Sequence, residues 1–116
     1  MMLDWNDYRK QLSAGVKEIG QLSPETIKGY VALSTAGQKT DLLGAKVREL
    51  IALAVAVTAR CDGCITVHTE AAIKHGATKE EISEALGVAI AVNAGAALVY
   101  SARTLDSFKA KLAASG

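Results

Sequence analysis

The strongest constraint on how this chain can fold is a run of seventeen residues, Leu86 to Ala102, that contains no charge. Its length approaches that of a membrane span. It is, however, rich in Ala and Gly, contains Asn93, and is closely flanked by Glu84 and Arg103. These features read as soluble helix buried on several sides, with no membrane association expected. A second apolar stretch, Leu50 to Val57, makes the same demand for cover. A chain of 116 residues has room for one domain, residues 1–116, with a modest core. It can hardly enclose both stretches, so the excess apolar surface predicts subunit contacts and a homo-oligomer.

Local signals divide the chain into about five to six helices. Asp4 is placed to cap a first helix with the apolar stripe Trp5, Tyr8, Leu12, Val16 and Ile19, ending near Gly20. Trp5 and Tyr8, at helical spacing, read as packing residues. Ser23 before Pro24 opens a second helix running to about Gly37, and Gln38 to Gly44 reads as a linker. A third helix is expected over Ala45 to Ala59. A fourth runs from about Cys61 or Asp62 to His75, with Gly76 as its left-handed stop. Thr78 and Glu81 form a capping box for the next helix. Asn93 and Gly95 are expected to break that helix in two, the second piece ending around Leu112. No segment alternates with period two, so the fold class is all-α, and the alanine-rich helices suggest helical hairpins.

The chemistry concentrates at the start of the fourth helix. Cys61 and Cys64 are the chain's two cysteines, and on a helix they share one face with His68, at i, i+3 and i+7. Haem attachment is excluded because Ile65, not His, follows the second cysteine. Structural zinc is disfavoured because no second Cys-x-x-Cys completes a ligand set, and His75 reads as a last-turn residue meeting the helix dipole. A reversible dithiol fits better. The thiolate is the reactive form, so the pair needs a helix N-terminus or a base to favour ionisation. His68 lies one turn beyond Cys64, which makes Cys64 the better nucleophile and Cys61 the resolving thiol. Cys61, nearer the helix start, remains an alternative point of attack on a partner's disulfide. Asp62 could cap the helix or raise a thiol pKa, and Gly63 could let a partner approach the sulfur atoms. By its own surroundings Glu49, at the head of an apolar run, reads as a solvated carboxylate paired with Lys46 or Arg48.

Charge and composition narrow the function classes. A net charge of +1 with interspersed signs gives no basic patch, and 4% aromatic residues leave few rings for stacking on bases, so nucleic-acid binding is not expected. The start Met1-Met2-Leu3-Asp4 lacks a cationic, apolar leader. Paired cysteines without an export signal point to redox or metal use in a reducing cytoplasm.

Glu49, Cys61-x-x-Cys64-x-x-x-His68 and the alanine-rich ending Asn93-Ala-Gly95 together resemble the alkyl hydroperoxidase D-like branch of the carboxymuconolactone decarboxylase family. The resemblance spans roughly residues 40 to 106. It implies an all-α fold, trimeric or hexameric assembly through helical hairpins, and an antioxidant thiol-disulfide oxidoreductase or weak alkyl hydroperoxidase. It further implies that Cys64 is peroxidatic, that Cys61 resolves, and that His68 with Glu49 relays protons. The substrates would be a peroxide or a disulfide and the electron donor an external dithiol, with no metal or organic cofactor. One departure is Gly63, where the family's best-known peroxidase type has His, removing one proton shuttle. The alternatives are a carboxymuconolactone decarboxylase-like lyase with incidental cysteines, or a metal-binding structural oligomer. Neither Lys74 nor Tyr100 can be placed from sequence.

Overall fold

The computed structural model describes residues 1–115. Among these the protein is all-α, with five helices: α1 (Trp5–Leu22), α2 (Pro24–Thr40), α3 (Ala45–Ala59), α4 (Asp62–Lys74) and α5 (Lys79–Ser115). The start signals act as the sequence predicts. Asp4 caps α1 by accepting the Asp7 N–H at 3.1 Å, and Trp5 meets Tyr8 edge-on with ring centroids 6.5 Å apart. Pro24 occupies the first turn of α2, while the Ser23 hydroxyl pairs with Thr26 Oγ1 at 2.7 Å rather than with the backbone. The Thr78–Glu81 box is reciprocal. Glu81 N–H donates to Thr78 Oγ1 at 3.1 Å and Thr78 N–H donates to Glu81 Oε1 at 2.9 Å.

Three expectations are corrected. The helix α2 does not stop at Gly37 but continues to Thr40, so the connection to α3 shrinks to residues 41–44. Gly37 is a packing residue: a Cβ there would lie 2.9 Å from Cδ of Arg48. The turn is made instead by Asp41, left-handed at φ 47°, whose carboxylate accepts Arg48 Nη1 at 2.7 Å. Secondly, α5 is a single helix of 37 residues rather than two. Asn93 does not interrupt it, because its amide donates to Ala89 O at 2.7 Å and to Thr58 Oγ1 at 2.9 Å, satisfying the group without opening the helix. Thirdly, the chain does not bury the Leu86 to Ala102 run on several sides. Ala89 is its one buried residue, and every residue from Ala96 to Ser115 is exposed.

The helix α3 is the centre, lying against both α4 and α5, while α1 lies against α2 and α4. The buried apolar residues are Leu53 and Ala56 of α3, Ala72 of α4 and Ala89 of α5. Three of these are alanines, whose small side chains let the helix backbones approach closely. Lys46 of α3 meets Glu81 of α5, and twelve residues on, Thr58 meets Asn93, so α3 and α5 run parallel in register. Since α3 ends at Ala59, the rest of α5 runs on past it. The molecule accordingly measures 60 × 39 × 36 Å. Length and hydropathy alone would let α5 cross a membrane, with 6% of its most apolar window buried.

Candidate functional site: a disulfide beside a His–Glu pair

The site begins at a two-residue turn. Arg60 adopts a left-handed conformation, φ 56°, and Cys61 is the N-cap of α4. This reversal lays α4 back along α3, bringing residues far apart in sequence face to face. Cys61 N–H donates to Ala56 O at 3.1 Å, and Cys61 O accepts Ile65 N–H at 2.9 Å, so the backbone of the first cysteine is fixed on both sides. Its sulfur accepts the Cys64 N–H at 3.1 Å, the hydrogen bond an N-cap oxygen usually makes. Cys61 and Cys64 are joined as a disulfide.

One turn further along α4, His68 Nδ1 stands 2.6 Å from Glu49 Oε2 of α3. A carboxylate only accepts, so Nδ1 carries the proton toward Glu49, and in the neutral ring Nε2 is the free lone pair. Both side chains are partly buried, His68 at 32% and Glu49 at 20% exposure, which keeps the pair in a less polar setting than bulk water. The expected pairing of Glu49 with Lys46 or Arg48 is overturned. Lys46 Nζ instead contacts Glu81 Oε2 at 2.8 Å and Arg48 contacts Asp41.

The disulfide and His68 open onto a cavity of about 400 Å³. Its floor is Cys61, Gly63, Cys64, Val67 and His68 of α4, and its walls are Arg9, Leu12, Ser13 and Val16 of α1 with Ile27 and Tyr30 of α2. Gly63 is what lets α1 come so near: a Cβ there would sit 2.9 Å from Leu12 Cδ2. The close approach that the sequence reading reserved for a partner is therefore occupied within the chain. Of the four residues singled out by sequence, Cys61, Cys64 and His68 line the cavity, and Glu49 lies behind His68.

The cavity walls were missed at the sequence level. Leu12 and Val16 belong to the stripe that the sequence assigns to packing, and Arg9, three residues before Leu12 on the same face, is the available signal. Asp62 is exposed in the first turn of α4 and His75 is exposed at its C-cap, both in places that suit the helix dipole. Lys74 ends α4, and Tyr100 stacks under Arg103 on α5, 4.7 Å from ring centroid to guanidinium, outside the cavity. Among the described residues no three His, Cys, Asp or Glu side chains gather closely enough to hold a metal ion.

Comparison with known proteins places this architecture. The model of the carboxymuconolactone decarboxylase family matches residues 24–107. An uncharacterized protein of Haemophilus influenzae is 44% identical over 113 residues, covering 97% of this chain and all of that one. A protein of the cox locus of Paracoccus denitrificans, also uncharacterized, is 34% identical over 93 residues, covering 80% of this chain and 84% of its own length. The crystal structure of an apo carboxymuconolactone decarboxylase family protein from Legionella pneumophila superposes with a TM-score of 0.73 at 34% identity, covering 90% of this chain and 94% of that one. The helix α1 lies outside the segment matched by the family model.

Proposed function

The chain belongs to the carboxymuconolactone decarboxylase family, and on that premise we infer that it is a thiol-disulfide oxidoreductase of the alkyl hydroperoxidase D-like branch, able to reduce hydroperoxides. The observation that carries this reading is the 2.6 Å pairing of His68 with Glu49 one turn from Cys64, at a cavity that also exposes the Cys61–Cys64 bond. A buried dithiol acting only as two small hydrophobes has no use for a base held in one tautomer.

In the reduced protein, His68 Nε2 takes the Cys64 proton, directly or through one water, while Glu49 stabilises the imidazolium. The Cys64 thiolate attacks the terminal oxygen of a hydroperoxide ROOH. The O–O bond breaks, ROH leaves with the proton from His68, and Cys64 becomes a sulfenic acid. Cys61 then attacks the Cys64 sulfur. At the N-cap of α4, its thiolate is favoured by the Cys64 N–H and by the helix dipole. Water departs and the disulfide forms. An external dithiol restores both thiols through a mixed disulfide and is itself oxidised. The balance is ROOH plus dithiol to ROH, water and disulfide. No metal or organic cofactor takes part in these steps.

The working unit is a single domain in a trimer or hexamer in the cytoplasm. One chain exposes 9222 Å², where a compact chain of this length would expose roughly 6,000 Å². The difference exceeds one standard interface, about 1,600 Å² shared by two partners. The apolar face of α5 supplies this surface, with Leu98 75%, Leu105 66% and Phe108 63% exposed. We read α5 as a helix covered by other copies rather than by lipid.

The deciding test is a redox titration in dithiothreitol buffers, with free thiols counted by mass spectrometry after alkylation, on wild type and His68→Ala. The expected result is one reversible two-thiol couple, with slower alkylation of Cys64 once His68 is removed. Thiols that never pair, or turnover of a lactone acid that survives Cys61→Ser, would replace this reading with the lyase.

A further inference from the structure

The cavity over the disulfide has one feature that thiol chemistry does not require. Its walls are apolar, formed by Leu12, Val16, Ile27 and Val67, yet Arg9 also lines it. No Asp or Glu is among the lining residues, and Glu49, behind the cavity, is engaged by His68. Arg9 Nε is shielded from solvent and has no hydrogen-bond partner among the described residues. Glu70 Oε2 lies 3.7 Å from it, an ion pair too long for a hydrogen bond, between side chains 36% and 72% exposed. The Nε–H itself is closed to a ligand, but so loose a surface pair leaves the outer guanidinium nitrogens to meet one.

Resting on the oxidoreductase reading, we propose that Arg9 anchors the anionic end of the substrate, so that the site prefers hydroperoxides in which an apolar chain carries a carboxylate. The planar guanidinium suits a carboxylate, with two parallel N–H donors. The chain of such a substrate lies against Leu12, Val16 and Ile27, and its peroxide oxygen meets Cys64. Arg9 belongs to α1, which lies outside the segment matched by the family model. Arg9 is a positioning residue: it holds the substrate and takes no part in proton or sulfur transfer.

Two readouts test this separately from the redox reading. In calorimetric titration of the oxidised protein, decanoate is expected to bind about ten- to a hundredfold more tightly than decanol, the range of one charge-assisted hydrogen bond. Arg9→Met should remove that preference while leaving decanol binding unchanged, and Arg9→Lys should keep part of it. In turnover with linoleic acid hydroperoxide and its methyl ester, wild type should favour the acid through KM. Arg9→Met should bring the acid down to the level of the ester, so that the acid-to-ester ratio is the readout. Equal binding of decanoate and decanol by wild type, or equal losses for acid, ester and cumene hydroperoxide in Arg9→Met, would overturn the anchor. Retained decanoate preference without any peroxide turnover would instead overturn the hydroperoxidase reading and leave the anchor standing.

Discussion

Leu12 of α1 rests on the first turn of α4 at Gly63, so closely that a Cβ on Gly63 would meet Leu12 Cδ2 at 2.9 Å. The second of the two residues between the cysteines is thus small because another helix lies over it. Gly63→Val should destabilise the protein by about 1–3 kcal/mol through overpacking. Pairing it with Leu12→Ala should recover part of that loss. Urea denaturation of the two single variants and the double variant measures the coupling, and strictly additive effects would show that the two residues do not press on each other.

In the proposed mechanism Glu49 acts on the thiol through His68. Glu49→Gln keeps the shape and removes the charge that supports an imidazolium. Alkylation of reduced Cys64 at neutral pH should slow by roughly a hundredfold, the low end of a lost acid–base contribution. His68→Ala should slow it comparably, and the double variant should be little worse than either, because the two form one unit. Alkylation rates measured across pH would show the Glu49 effect as a shift in the profile rather than a uniform loss.

The link between α3 and α5 should weaken in acid. Lys46, first, and the Thr78 backbone, second, hold the Glu81 carboxyl below its usual range. A depressed carboxylate stabilises the fold above its unfolded pKa, and the contribution is lost as pH falls through the lower folded value. Thermal unfolding between about pH 6 and pH 2 should therefore show a decline that Glu81→Gln flattens. The effect should be small, since the side chains of Lys46 and Glu81 are 42% and 35% exposed. An unchanged slope in Glu81→Gln would assign the acid sensitivity to other carboxylates.

Leu98, Leu105, Phe108 and Leu112 recur along α5 at intervals of seven, three and four, a heptad-like stripe that no helix of the same chain covers. Leu105→Glu together with Phe108→Glu should lower the mass seen by analytical ultracentrifugation, while the helical circular dichroism of the separated chains persists. A pair of charges that left the mass unchanged would place the assembly surface elsewhere.

Much of the architecture was legible because its signals are local. The Asp4 cap, the Ser23–Pro24 break, the Thr78–Glu81 box and the left-handed Gly76 each act within a few residues, so the starts of the helices were fixed by neighbours along the chain. The face shared by Cys61, Cys64 and His68 follows from helical spacing alone. The two glycines misread as a helix stop and a partner's opening, Gly37 and Gly63, have ordinary helical neighbours in sequence. Their meaning lies in Arg48 and Leu12, which reach them from other helices.

The amino-acid sequence by itself determined an all-helical chain with a dithiol at one helix start and more apolar surface than one copy can cover. Only the tertiary structure decided that Glu49 turns from Lys46 and Arg48 to His68, nineteen residues away, that α5 runs unbroken through Asn93, and that Arg9 overlooks the disulfide. The physical reason is range. Caps and turns are settled by hydrogen bonds between near neighbours in the chain, whereas ion-pair choice, helix continuity and cavity walls depend on which helices fold back against one another.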